Sequence, residues 1–416
     1  MRICFVADGR SPIAHGWIRN VIEQGHDVHL VSTYPCDPNV LPGAQVHQIP
    51  VAFSYLLPTR PTGTDGAVLG RPRPSRHDLL ARLRGHGLGA QVGRTADAAR
   101  MWLSPLEVRL HVRRMRAVIR EIAPDVVHAL RVPFEGIVAA RATPPDVPLV
   151  ISIWGNDLTR FAAGNALIRR ETRTALRRAD GLFTDCRRDE GLAFAFGLAP
   201  GTPTSVLPGG GGIDRRVFVP CAADPASRAG FELPEGARVV VNPRGWRPYV
   251  CTGAFFRAIP AVLEQVPDAM FLCCALAGVP AVEQSVTQLG IGDRVRLLPG
   301  LSLERMADLF RLAEVTVSPS VHDGTPNTLL EAMACGCFPV AGDIDSVQEW
   351  IANGVNGLLC DPTDPAALTA SILRALGDHP LRETAATRNL DLIRERADRH
   401  MVKGLADAFY GDVRRS

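Results

Sequence analysis

The sequence predicts an α/β protein made of two doubly wound, Rossmann-like domains, each a parallel sheet with helices on both faces. Three observations predict it. A chain of 416 residues with 46% hydrophobic content is long enough for two separate cores. Short apolar runs of strand type alternate with amphipathic runs of helix type, the pattern of a parallel sheet with crossover helices. The alternation stops after "LPGGGGIDRRVF" (Leu207 to Phe218), passes through a polar segment to about Gly236, and then restarts.

In the first half Ile3–Ala7, Val28–Ser32, Val126–Ala129, Leu149–Ile153, Gly181–Thr184 and Ser205–Leu207 read as strands. Trp17–Gln24, Pro105–Ile122 and Ala166–Arg178 read as the helices between them. In the second half Arg238–Asn242, Ala269–Ala275, Val295–Leu298 and Val315–Ser318 read as strands, and Asn327–Met333 as a helix stopped by Cys335-Gly336-Cys337. The domains are accordingly placed at residues 1–212 and 213–395, with a terminal helix over 396–416 expected to pack back on the first domain. Ligands of such sheets bind beyond the carboxyl ends of the strands, so a cleft between the two domains is the expected site. No internal repeat is visible.

Composition excludes several classes. The net charge of +3, from 46 basic and 43 acidic residues, argues against a dedicated nucleic-acid binder. Lys403 is the only lysine among the basic residues, as in a protein from a GC-rich genome. The ten cysteines contain no C-x-x-C pair and no metal-ligand spacing; Cys273-Cys274 and Cys335-x-Cys337 sit in apolar runs and read as buried free thiols of a reducing compartment. "MRICFVADG" is a strand rather than a signal peptide, and nowhere do eighteen apolar residues run together, so a cytoplasmic protein is expected, at most peripheral on the inner face of a membrane.

The stretch "HDGTPNTLLEAMACGCFPV" (His322 to Val340) carries the most chemistry. Asp323 and Glu331 lie eight positions apart across a strand-to-helix crossing. Pro326 suits the first helical position, leaving the amides of Asn327 and Thr328 among the first-turn N–H groups without intrahelical partners, where an anion is favoured. One turn on, the Glu331 carboxylate can accept hydrogen bonds from vicinal hydroxyls. Sugar hydroxyls beside a phosphate describe a nucleotide; a solvated helix whose glutamate caps something nearby is the plainer alternative.

The rhythm breaks from Pro58 to Gly93, rich in Pro, Gly and Arg, within an irregular insert at about 58–105. Between Arg71 and Arg116 stand eleven arginines against Asp78, Asp97 and Glu107. This excess, ending in "RLHVRRMR" (Arg109 to Arg116), suits an anionic headgroup or membrane surface, or else is a solvated charged face. A nicotinamide-dependent dehydrogenase, also doubly wound, lacks support: no G-x-G-x-x-G follows a strand, and Gly209–Gly212 precede an Asp-Arg-Arg turn instead of a helix.

The segment Pro319–Leu359 resembles the retaining family 4 nucleotide-sugar glycosyltransferases of the GT-B fold, which write an acid, seven residues, a glutamate and then E-A-x-A-x-G-x-P-V; here Asp323, Glu331 and "EAMACGCFPV". "DSVQEWIANGVNGLLCDPTDPAAL" continues the likeness, as do "GHDVHLVS", "PDVVHAL", "WGNDL" and "PGGGGID" upstream. The resemblance spans nearly the whole chain except Pro58 to Pro105. It implies two Rossmann-like domains facing each other across a cleft, the first binding the acceptor and the second a nucleoside diphosphate sugar, with UDP or GDP as the nucleotide.

By that resemblance Glu331 binds the ribose hydroxyls, and Asp323 faces the donor sugar with the backbone of Gly324, Thr325, Pro326 and Asn327, followed by Thr328. Arg244 in "NPRGWRPYV" neutralises the leaving diphosphate, and no metal or other cofactor is expected. The family's lysine partner is missing near Tyr249, and Arg247 is the nearest cation to replace it. His128 corresponds to a position beside the reacting sugar, a core histidine being the alternative. The family's first-loop Gly-Gly pair is replaced by "DGRSPIAHGW"; Gly9, Ser11 and His15 there are expected on the acceptor side, with packing or helix capping open for His15. Asp157 either orients the acceptor or caps the next helix. The implied reaction moves a sugar to an acceptor hydroxyl with retention, the acceptor being a glycan, a lipid-linked or a small molecule. The altered phosphate-binding pair also suggests a catalytically degenerate partner or scaffold subunit.

Overall fold

The computed structural model describes residues 1–56, 87–222 and 224–415. Most of the arginine-rich insert lies outside the described residues. The chain divides into two compact units, one of Met1–Thr184, Asp189–Ser205 and Ala406–Ser416, the other of Asp185–Arg188 and Val206–Leu405.

The first unit holds a seven-stranded sheet of order β3-β2-β1-β4-β5-β6-β7. Its strands are β1 (Arg2–Ala7), β2 (Asp27–Ser32), β3 (Ala44–Gln48), β4 (Val126–Leu130), β5 (Leu149–Ile153), β6 (Gly181–Thr184) and β7 (Thr204–Val206). Strands β1 to β6 pair in parallel. Apart from the solvent-facing first residues of β1 and β2, strands β1, β2, β4, β5 and β6 are buried throughout, as expected where helices cover both faces, and so they read in the sequence as unbroken apolar runs. Strand β3 is only partly buried, so its "AQVHQ" carries no such signal. The helix expected from Pro105 runs from Gly87 to Ile122 with Pro105 inside it. Val108, Met115, Ile119 and Ile122 are its buried face.

The C-terminal helix Arg399–Arg415 contributes its last residues to the first unit. There Phe409 packs on Phe183 with ring centroids 4.3 Å apart. Gly181 allows this approach, since a Cβ on it would lie 2.8 Å from Val413 and 3.0 Å from Phe409.

The second unit holds a six-stranded parallel sheet of order β10-β9-β8-β11-β12-β13. Its strands are β8 (Arg238–Asn242), β9 (Ala269–Cys273), β10 (Val295–Leu297), β11 (Val315–Ser318), β12 (Phe338–Gly342) and β13 (Leu358–Cys360). Residues of β8 alternate between two cores: Val239 and Val241 join Phe310, Leu329 and Met333, whereas Val240 joins Phe255, Phe256 and Phe271. The "PGGGGID" turn belongs to this unit, so the break falls after Ser205 instead of after Gly212. Gly212 has φ +89°, a Cβ there would lie 2.8 Å from the Arg399 Cα, and the Ile213 amide donates to the Ala397 carbonyl at 2.7 Å.

All ten cysteines are free, and Cys4, Cys186, Cys273, Cys274, Cys335 and Cys337 are buried. Among the described residues no helix is long and apolar enough to cross a membrane.

Candidate functional site

In each sheet the chain order reverses beside the first strand, between β1 and β4 in one unit and between β8 and β11 in the other. The carboxyl ends of such strand pairs form a crevice where loops diverge and ligands fit. The sequence-selected residues other than Arg247 lie near these two places.

In the second unit Arg244 follows β8 and Asp323 follows β11. Arg244 Nη2 donates to Asp323 Oδ2 at 2.5 Å, and the Arg244 amide is steadied by Asn242 Oδ1 at 2.9 Å. Both side chains are largely enclosed. Arg188 Nη1 and Ser346 Oγ donate to the Asp323 carbonyl at 2.8 and 2.9 Å, fixing the loop that carries the carboxylate. Burial raises the Asp323 carboxyl, and the Arg244 charge opposes that rise.

Glu331 stands one turn into the helix Asn327–Ala334. It is half-buried, and among the described residues its carboxylate has no hydrogen bond or ion pair. Burial pushes it up to about 7, with Arg244 opposing. A half-buried carboxylate with no protein partner among the described residues suits hydroxyl donors from a ligand.

Pro326 corrects one expectation. It is the residue before the helix, with φ −71° and ψ 115°, and the helix begins at Asn327. The amides of Asn327 and Thr328 remain first-turn donors without intrahelical acceptors. The Asn327 side chain lies so close to Gly210 that a Cβ there would sit 2.6 Å from Nδ2. Thr325 faces inward, its hydroxyl donating to the Asp185 carbonyl and accepting from Trp350 Nε1 at 3.0 Å. Gly324 packs against the Asp185 carboxylate with no room for a side chain. Thr328 Oγ1 is 3.5 Å from Arg244 Nη1, a contact at the limit of hydrogen bonding. Arg247 is exposed and bonds the Trp246 carbonyl at 3.0 Å; the structure does not bring it to Arg244, Asp323 or Glu331.

In the first unit the expected acceptor-side residues prove to be mostly internal supports. Gly9 donates its amide to Ser32 Oγ at 3.0 Å, and any Cβ would strike Ser32 and Cys36. Ser11 caps the helix Pro12–Glu23 through the Ala14 amide. His15 Nε2 bonds the Gly9 carbonyl at 2.8 Å within a buried setting, so packing, one of the plainer alternatives, describes it.

His128 is corrected more strongly. It lies inside β4, is fully buried, and is ringed by Phe5, Trp17, Phe183 and Tyr410. Its Nδ1 is 2.7 Å from the Tyr410 hydroxyl and its Nε2 2.8 Å from Ser152 Oγ. Trp17 Nε1 donates to the same Tyr410 oxygen at 3.0 Å, so a buried chain of polar groups runs from Trp17 through Tyr410 and His128 to Ser152. Burial pulls the imidazole down to about 3, leaving it neutral. Both nitrogens are occupied, and His128 is a core residue.

Asp157 is fully buried and accepts from Arg131 Nε at 3.0 Å and Nη2 at 2.7 Å, with the Val132 and Trp154 amides at 3.3 Å. It positions Arg131, which no sequence pattern marked. Arg131 follows β4 with φ +131°, and Phe134 beyond it has φ +67°, a strained backbone of the kind concentrated at functional sites. Glu135, buried there, accepts from Thr33 Oγ1 at 3.0 Å and is pushed up to about 8 by burial, Arg131 opposing. Arg10, paired with Asp8 and stacked 3.9 Å over Tyr34, completes the group.

Two family models match the chain: "Glycosyl transferase 4-like domain" over residues 9–210 and "Glycosyl transferases group 1" over residues 250–378. A D-inositol 3-phosphate glycosyltransferase of Catenulispora acidiphila is 31% identical over 280 residues, covering 63% of this chain and 66% of that protein. One from Streptosporangium roseum is 30% identical over 180 residues, covering 41% of this chain and 40% of its own length. The chain thus spans from about two fifths to about two thirds of these relatives. Among solved structures, sucrose-phosphate synthase of Thermosynechococcus elongatus superposes with a TM-score of 0.72 at 16% identity, covering 99% of both chains. HepE of Anabaena in complex with UDP gives 0.68 at 16% identity, covering 99% of this chain and 100% of that one.

Proposed function

Because the chain belongs to the group 1 glycosyltransferases, with a family-4-like N-terminal domain and the GT-B fold, we propose that it transfers a sugar from a nucleoside diphosphate donor to an acceptor hydroxyl. The observation that carries this reading is the half-buried Glu331, one turn into the helix after the Arg244–Asp323 pair and without a partner among the described residues. In it, Glu331 accepts from the ribose hydroxyls, and the amides of Asn327 and Thr328 meet the phosphates. Arg244 stabilises charge as the glycosidic bond breaks. Asp323 holds that guanidinium and faces the sugar. The related fold of HepE, solved with UDP and with UDP-glucose, supports a nucleotide-sugar donor.

The reaction retains configuration and works without a metal in this proposal. The arginine and the helix start carry the diphosphate charge, and a departing phosphate oxygen takes the proton of the incoming hydroxyl. The relatives named for inositol 3-phosphate support a polyhydroxylated acceptor. A second reading, a catalytically degenerate subunit, is favoured by one observation: Arg247 lies on an exposed loop instead of replacing the missing lysine. Incubating the protein with UDP-, GDP- and ADP-sugars separates the two. A transferase hydrolyses one donor slowly and melts higher with the matching diphosphate; no hydrolysis and no shift with any of them overturns the enzyme reading.

A further inference from the structure

We propose that the exposed face of the helix Gly87–Ile122 docks the protein on an anionic lipid surface, with an apolar tip at Trp102–Leu110 and a cationic collar at Arg113, Arg114 and Arg120. Trp102, Leu103, Leu106 and Leu110 are 55%, 51%, 49% and 79% exposed, although each is large and apolar. At 3.6 residues per turn they share one side of the helix, opposite Val108, Met115 and Ile119, which the core holds. The collar continues the same ridges: Leu106, Arg113 and Arg120 are seven apart, and Arg114 follows Leu110 by one turn. Arg113, Arg114 and Arg120 are exposed and have no ion pair among the described residues.

Not all of the helix arginines belong to the collar. Arg109 pairs with Glu171 at 2.7 Å, a buried carboxylate that Arg141 also bonds, and Arg116 Nη2 bonds the Arg141 carbonyl at 2.6 Å. Acids do not screen the collar either: Glu107 is buried on His111 and the Ala52 amide, leaving Glu121 as the one exposed acid of the stretch Trp102–Ile122.

Charge and size select the occupant. A stable protein interface takes about 800 Å² from each partner, more than four side chains of one helix supply. A tryptophan and three leucines with arginines above them match an element that inserts to the headgroup boundary. Residues 57–86 of this chain carry six arginines against Asp65 and Asp78, the same sign as the collar, and so do not complement it.

The test is sedimentation of the full chain with vesicles of phosphatidylglycerol and phosphatidylcholine, and with phosphatidylcholine alone. Wild type is expected to pellet with the anionic vesicles at low salt, and to be released as salt rises. Arg113→Glu with Arg114→Glu should weaken that binding by about tenfold or more. Trp102→Ser with Leu110→Ser should weaken it similarly and leave only a remainder removed entirely by salt. All four positions are exposed, and an unchanged melting temperature checks that the variants fold. Wild type remaining in the supernatant at low salt, or either variant binding as wild type does, overturns the proposal. So does a concentration-dependent dimer that Leu110→Ser dissolves without any vesicle binding, which would give the face to a second copy. Because donor binding is not measured, the outcome is independent of the reaction assigned above.

Discussion

Arg244 and Asp323, seventy-nine residues apart in the chain, meet at 2.5 Å at the carboxyl ends of adjacent strands β8 and β11. The pair sets the charge at this end of the second sheet. Asp323 is enclosed, and the rise that burial imposes on its carboxyl is opposed first by the Arg244 guanidinium.

Arg244→Ala is therefore expected to lower kcat by about a hundredfold or more, as loss of one group that meets transition-state charge does. Arg244→Lys should recover part of it, since a point charge replaces a fork. Arg247→Ala should leave turnover at saturating donor unchanged, because its guanidinium bonds its neighbour's carbonyl on an exposed loop. Steady-state kinetics on the three variants, with melting curves beside them, check this; a hundredfold loss for Arg247→Ala would return that residue to the phosphate site.

How far the sequence revealed this arrangement depended on burial. Strands such as β4 and β5, covered on both faces, show as apolar runs, whereas β3 is only partly buried along its length and leaves no run to see. Pro105 reads as a helix start, yet here a long helix passes through it. Asp323 and Glu331 were legible because an ordered motif carries them. For His128 both readings stay open in the sequence, because it does not say whether a histidine in a strand faces a ligand or the core; Phe5, Trp17 and Tyr410, from distant segments, decide for the core. Arg131 and Glu135 carry no motif at all, and only their convergence with Asp157 and Thr33 marks them.

Glu331 gives a pH signature. Its carboxyl is raised to about 7 in the folded protein, so the proton is bound more tightly folded than unfolded. The stability it contributes is fully present below the ordinary glutamate range and is lost as pH rises through about 7. Nucleotide binding runs the other way, because hydroxyls need the ionised acceptor. Affinity for the diphosphate should strengthen between pH 6 and pH 8 in calorimetry. Glu331→Gln should flatten that dependence and bind more weakly at pH 8. Glu331→Ala should cost about 2 kcal/mol or more. Equal affinity for the alanine variant would remove Glu331 from the site.

His128→Leu tests the core assignment. It removes the imidazole partner of both the Ser152 and the Tyr410 hydroxyl, so urea unfolding should show a loss of about 2–3 kcal/mol. Diphosphate affinity should not change. The wild-type imidazole, held down at about 3, contributes stability that is present above the ordinary histidine range and is lost as pH falls toward 3. The leucine variant should lose that acid dependence.

The Arg131–Asp157 pair is unequal, and the inequality is measurable. Asp157 is wholly enclosed, whereas 36% of the Arg131 side chain reaches solvent. Arg131→Ala abandons a buried carboxylate with only two long amide bonds, at 3.3 Å, to steady it, and should destabilise by about 3 kcal/mol or more. Asp157→Ala leaves a guanidinium that can turn toward water, and should cost distinctly less. Removing both should be milder than removing Arg131 alone, since the uncompensated charge is then gone. Urea unfolding of the two single variants and the double variant at neutral pH gives the three values. An Arg131→Ala no more damaging than Asp157→Ala would mean that Asp157 finds water or a proton when its partner leaves, and that the strained turn after β4, not the ion pair, holds this end of the sheet together.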